Sequence, residues 1–249
     1  RACVPPSLCG NLSFACALDR ARLRPRAARV PGFAVGRLRF GGRGDVIDFG
    51  NQPPATGGKG GVVFDNFRSD LGRLRHYGCK DSTLRLLLFN QGIWACACYR
   101  TGRYLNDRRL VPGLRQVVML FYHFWWKWIE MNTGISISPD CRIGRGLYIG
   151  HFGQIILHSD VVMGRKCNLS QGVTIGLAKS EGEWGVPTVG HRVYIAPGAK
   201  VVGPIHLADG TVVGANAVLT RSTEANAVVA GIPAKVLNYN GSDEYIPRD

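Results

Sequence analysis

Apolar residues return every sixth position through the second half of the chain: Ile137, Ile143, Ile149, Leu157, Met163, Leu169, Ile175, Val189, Ile195, Val201, Leu207, Val213 and Leu219. Two steps depart from six, one of eight residues (Ile149 to Leu157) and one of fourteen (Ile175 to Val189). A period of six matches neither the 3.6-residue face of an α-helix nor the two-residue alternation of a half-buried strand. It suits a solenoid in which each hexad forms one short flat face and the aliphatic residue points into a shared core. Evenly spaced strands of a β-sandwich are the other way to produce a regular pattern. Thirteen anchors in a single frame argue against that.

Four residues beyond the anchors lies a second inward set: Cys141, Val161, Cys167, Val173, Val193, Ala199 and Ala217. Small residues often follow the anchor, as at Gly144, Gly150, Gly164, Gly176, Gly190, Ala196 and Gly214. Both irregular steps exceed a multiple of six by two residues, so each reads as an insertion that leaves the stack and rejoins it. The first insertion contains His151.

The formal net charge of +14 is unevenly spread. Residues 1–62 carry ten Lys and Arg against three acidic groups, and residues 63–249 carry twenty-one against fourteen. No nucleic-acid reader motif accompanies this charge, and the arginines are not interleaved with aromatics, so nucleic acid is not expected as a partner. The eight cysteines contain no CxxC pair, and the early apolar runs are broken by Arg and Pro, unlike a signal peptide. Free thiols in a cytoplasmic protein are expected. Residues 1–62 are rich in Arg, Gly and Pro, show no period, and are predicted to have little fixed structure. The first methionine is Met119, so this segment reads either as an extended reading frame with a start near residue 62 or 63, or as a transit peptide.

Residues 63–133 form a helical domain by pattern, 134–237 the solenoid, and 238–249 a tail. Asp65 to Leu71 opens a helix whose acids would sit in its first turn. Asp81-Ser82-Thr83 caps the run Leu84–Leu88. Asn90 to Leu110 gives a further amphipathic stretch. A last helix, 114–131, carries Phe121, Tyr122, Phe124, Trp125, Trp126 and Trp128. Arg115, Lys127 and Glu130 leave too short an uncharged run to span a bilayer. Packing against the solenoid end or a neighbouring subunit is the expectation for this helix, with peripheral membrane contact as the alternative. Thr133-Gly134 ends it.

Residues 64–237 resemble the serine acetyltransferase-type members of the hexapeptide-repeat acyltransferases. The likeness rests on the strings 133–139 (TGISISP), 143–151 (IGRGLYIGH), 172–176 (GVTIG), 198–205 (GAKVVGPI), 214–218 (GANAV) and 231–235 (GIPAK). It implies a mainly β fold, a left-handed parallel β-helix preceded by a small α-helical domain. The hand comes from the resemblance, because general crossover rules favour the opposite one. It also implies a trimer with each site between adjacent subunits, acetyl-CoA as co-substrate, direct transfer, and neither a metal nor a covalent intermediate.

By that resemblance His151 matches the catalytic base: a neutral imidazole can take the proton of an acceptor hydroxyl as it attacks the thioester. The family has carboxylates at the positions of Ser136 and Gly150, and an Arg-His pair that helps to bind serine at those of Gly185-Val186. This chain lacks all four groups, so serine is weakened as acceptor and a sugar hydroxyl is the rival. His191 is a candidate substitute for the missing histidine, while His158 and His206 read as surface residues. The 177–188 insertion resembles the family's loop over the site, making Glu183 and Trp184 acceptor-contact candidates together with Ser136. The pantetheine of coenzyme A is expected near Gly176, Ala196, Pro197, Gly214 and Ala215, where small residues permit close approach. Its phosphates would meet Lys200, Arg221 and Lys235, with Lys179 a weaker candidate.

The expected activity is therefore an acetyl-CoA-dependent O-acetyltransferase, nominally forming O-acetyl-L-serine for cysteine synthesis, with a sugar or polysaccharide O-acetyltransferase as alternative. A zinc enzyme on the same solenoid would need three converging histidines, and the spacing of His151, His158, His191 and His206 does not supply the close pair. A non-catalytic structural β-helix is the third class.

Overall fold

The computed structural model describes residues 61–77, 82–108, 110–180 and 182–247. The expectation for 1–62 falls outside them except at Gly61 and Val62. Four helices come first: α1 (Gly61–His76), α2 (Thr83–Phe89), α3 (Gln91–Asp107) and α4 (Pro112–Thr133). The Ser82 hydroxyl accepts from the Arg85 N–H to cap α2, and the Asn90 side chain does the same for α3 from Ile93. Gly134, at φ +64°, ends α4 in the left-handed conformation open to glycine. One expectation is corrected. Because α1 begins at Gly61, Asp65 and Asp70 lie beyond its first turn and do not serve its dipole.

Asp70 does something else. Its side chain is fully buried beside that of Arg100 on α3. Arg100 Nε donates to Asp70 Oδ2 at 2.9 Å, and its two Nη groups donate to the carbonyls of Ile143 and Gly144, each at 2.7 Å. The backbone N–H groups of Gly146 and Leu147 donate to Asp70 Oδ1 at 2.8 Å. Two helices and the first solenoid turn thus share one satisfied buried ion pair, the arrangement that desolvated charges require.

From Ile135 the chain winds into a three-faced left-handed β-helix. Sheet I stacks Ile135–Ile137, Ile155–Leu157, Thr174–Gly176, Lys200–Val202 and Val218–Leu219. Sheet II stacks Arg142–Ile143, Val162–Met163, Thr188–Val189 and His206–Leu207. Sheet III stacks Tyr148–Ile149, Asn168–Leu169, Tyr194–Ile195, Val212–Val213 and Val228–Gly231. All pairings within this stack are parallel, and anchor meets anchor: Ile137 with Leu157, Ile143 with Met163, Ile149 with Leu169, and Val201 with Leu219. The anchors and the second inward set form one continuous buried core. The thiol of Cys167 in that core is pushed up to about 12 by burial, and that of Cys141 to about 11.

The second insertion forms a loop within 177–188, larger than the two residues that the hexad count leaves over. Ile175 to Val189 is a single step from sheet I to sheet II, and its extra residues leave the stack together as an antiparallel hairpin, Ala178–Ser180 with Glu183–Gly185. The far end also has more structure than a bare tail. Ala234–Asn238 turns back antiparallel on Val228–Gly231. Tyr245 stacks on Tyr194 with ring centroids 4.5 Å apart, and Ile246 is wholly buried.

Candidate active site on the III–I edge

The first insertion widens the edge where sheet III hands over to sheet I. His151 stands exposed on it, between Ile149 and Ile155. Gly153 (φ +106°) and Gln154 (φ +53°) complete the bend. Among the described residues, neither ring nitrogen of His151 has a hydrogen-bond partner, leaving both faces of the base to an incoming group. The edge continues coil by coil through backbone bonds: Gly172 N–H to Gly153 O, Gly198 N–H to Gln171 O, and Asn216 N–H to Pro197 O, each 2.9 Å. Ala196, Pro197, Gly214 and Ala215 therefore stand in the same column as His151, and Lys235 lies just past its far end.

Sheet I presents Ser136, Ile156, Thr174, Lys200 and Val218 outward in register. Lys200 is already engaged: its ammonium donates to Gly172 O at 2.6 Å and to the Thr174 hydroxyl at 3.1 Å. Gly176 and Arg221 lie on the opposite side of sheet I, at the I–II edge, as does the hairpin with exposed Glu183 and Trp184. The hairpin rests on the next coil there, for a Cβ added to Gly185 would come to 2.5 Å from Pro204 Cβ. Within one chain the candidates thus divide between two edges of the prism.

Two groups near the site escaped sequence reasoning. A Cβ on Gly150 would meet the Tyr148 hydroxyl at 2.9 Å, so the phenol occupies the space where a carboxylate side chain at 150 would begin. Glu130, in the last turn of α4, brings a carboxylate towards Ser136. The Lys127 ammonium, donating to Oε2 at 2.8 Å, holds this carboxyl below its usual range against partial burial, and the Ser136 hydroxyl adds to the effect. Neither was visible because each depends on side chains that meet across an element boundary.

The other histidines are spread over the molecule. His191 lies on the II–III edge, where Nδ1 accepts from the Arg165 N–H at 2.9 Å, a structural use away from His151. His158 and His206 are half-buried, on the I–II edge and in sheet II. Among the described residues no three His, Cys, Asp or Glu side chains converge as a metal site.

The stacked six-residue coils form the left-handed β-helix of the hexapeptide-repeat acyltransferases. A solved serine acetyltransferase in complex with CoA shares the fold at a TM-score of 0.60 and 25% identity, over 71% of this chain and 70% of that one. Serine acetyltransferase from Helicobacter pylori (strain ATCC 700392 / 26695) is 34% identical over 153 residues, 61% of this chain and 84% of the relative. That from Synechococcus elongatus (strain ATCC 33912 / PCC 7942 / FACHB-805) is 30% identical over 160 residues, 64% of this chain and 62% of the relative. No family model matches the sequence. The chain belongs to the serine acetyltransferase family of acyltransferases.

Proposed function

We propose that the protein transfers the acetyl group of acetyl-CoA to a small hydroxyl, with L-serine as acceptor, giving O-acetyl-L-serine and free CoA for cysteine synthesis in the cytoplasm. His151 takes the acceptor proton while the oxygen attacks the thioester carbon. A backbone N–H on the widened edge meets the oxyanion, and CoA leaves as the thiol once protonated. Coenzyme A runs along the column of Ala196, Pro197, Gly214 and Ala215, with Lys235 near its phosphates. The observation that carries this reading is the exposed His151 at the head of that column of small residues.

The division of candidates between two edges of sheet I supports a homotrimer. The III–I edge of one subunit would face the I–II edge of the next, joining His151 to Gly176, Arg221, Glu183 and Trp184 across the interface. The acceptor is tested by thiol release from acetyl-CoA with L-serine, homoserine and a sugar panel. Turnover with serine is expected, and turnover with a sugar alone would transfer the assignment to a sugar O-acetyltransferase, which the apolar Gly185-Val186 pair favours.

A further partner follows from α4. Tyr122, Ile129 and Thr133 bury one face of the helix, while Phe121 (70% exposed), Phe124 (68%), Trp128 and Met131 (75%) line another at helical spacing. No helix among the described residues is long and apolar enough to cross a membrane. An aromatic stripe beside Arg115 and Lys127 suits the interface of an anionic bilayer. The protein is expected to float with anionic phospholipid vesicles, and Phe121→Ser with Phe124→Ser to abolish flotation. A protein that stays at the bottom of the gradient would refute the contact.

A further inference from the structure

The last turn of α4 brings a charge to the corner of the solenoid where His151 stands. The backbone carbonyl of Glu130 accepts from the Gly134 N–H at 2.8 Å, so Glu130 lies one turn below the helix end. Gly134 in turn packs against the insertion that carries His151. Its carbonyl accepts from the Ile155 N–H at 3.0 Å, and a Cβ built on it would come to 3.0 Å from Gln154 N and 3.3 Å from Gly153 Cα. Two residues further on, Ser136 is half-buried between the inward Ile135 and Ile137, on the outer side of the first strand of sheet I. Helix end, hydroxyl and histidine insertion thus meet at one end of the III–I edge.

The Glu130 carboxylate is approached from two sides. Lys127, three residues earlier, donates to Oε2 at 2.8 Å, and the Ser136 hydroxyl faces the same carboxylate. The Lys127 hydrogen bond leads, the Ser136 hydroxyl adds to it, and together they hold the carboxyl below its ordinary range against partial burial. An ionised carboxylate can only accept, so the Ser136 proton points to it. The hydroxyl oxygen then keeps its lone pairs for another donor and is polarised into a stronger acceptor.

We propose that Glu130 is a positioning residue of the acceptor pocket, orienting the Ser136 hydroxyl so that its oxygen receives the ammonium of an amino-acid acceptor beside His151. An ammonium has donors and no lone pair, so it needs a hydroxyl whose own proton is already directed elsewhere. A sugar hydroxyl can donate or accept and does not depend on that bias. The role presupposes L-serine as acceptor, as proposed above.

Thiol release from acetyl-CoA is measured with L-serine and with β-hydroxypropionate, which keeps the hydroxyl and carboxylate of serine and lacks its ammonium. The parent should prefer serine. Glu130→Gln should cut the ratio of the two kcat/KM values at least about tenfold, the scale of one hydrogen bond to a charged group, and leave the KM for acetyl-CoA as in the parent. Ser136→Ala should lower the ratio by a similar factor, which keeps the role testable if Glu130→Gln fails to fold. The two changes together should cost no more than the larger one alone, because they remove a single contact. A parent that acetylates a sugar and neither of these compounds would refute serine as acceptor and this role with it. A parent that prefers serine, with the ratio unchanged in Glu130→Gln or in Ser136→Ala, would overturn the positioning role alone. So would losses that multiply in the double variant, since the two residues would then act separately.

Discussion

Replacing His151 with alanine is expected to lower kcat for acetyl transfer by about 10²–10⁴-fold, the range typical of a lost general base. The imidazole is exposed and has no intramolecular partner among the described residues, so its removal should leave the thermal midpoint and the oligomeric state unchanged. Steady-state thiol release measures the first quantity, and a melting curve with sedimentation the second. With acetyl-CoA binding intact, the loss should fall on kcat and spare the KM for acetyl-CoA. A variant that retains kcat within about threefold of the parent would remove His151 from the mechanism, because proton removal by water alone does not reach such rates. A large drop in the melting midpoint would also count against this assignment, since it would make His151 a structural residue.

The largest effect on stability is expected at Asp70. Asp70→Ala leaves the Arg100 guanidinium buried without its carboxylate and orphans the N–H groups of Gly146 and Leu147. Breaking a buried pair in this one-sided way costs about 3–5 kcal/mol. Urea unfolding of the variant should show that loss. Asp70→Leu combined with Arg100→Met should recover part of it, because the uncompensated charge is gone. If Asp70→Ala unfolds within about 1 kcal/mol of the parent, α1 and α3 are not docked through this pair. The helices would then be held by the small cluster of Leu74, Leu86 and Ile93, with Phe67, Leu71 and Tyr148 against it.

How far each feature could be read from the chain follows from the range of the forces that place it. A coil's neighbour lies about three hexads away, so the inward anchors recur at a fixed short interval and need no knowledge of distant contacts. Ile137, Leu157, Ile175, Val201 and Leu219 share a sheet for that reason. The helix end at Ser82 was legible because a cap is a bond between residues three apart. The start of α1 was not, because no cap residue announces it. Counting left two residues over a multiple of six in the fourteen-residue step, and the antiparallel pairing of Lys179 with Trp184 shows a larger hairpin outside the stack.

Side chains that act at a distance escaped. Asp70 reads as an ordinary helix acid until Arg100 arrives thirty residues later. Lys200 reads as a free cation on a strand, yet its ammonium is spent on Gly172 and Thr174 one coil back. Glu130 and Ser136 meet only because Gly134 turns the chain from helix to strand between them. Arg145, Lys166 and Arg192 lie about twenty residues or more apart in the chain, and their alignment follows only from the stacking of the coils.

The sequence by itself determined the winding of this chain, its core and its interruption at His151, since a periodic apolar frame is a local property that burial enforces coil by coil. Only the tertiary structure decided which charges are spent and which remain. Whether an Asp, Lys or Arg is a staple or a brace depends on partners brought within about 3 Å by the fold, and no local pattern encodes those partners.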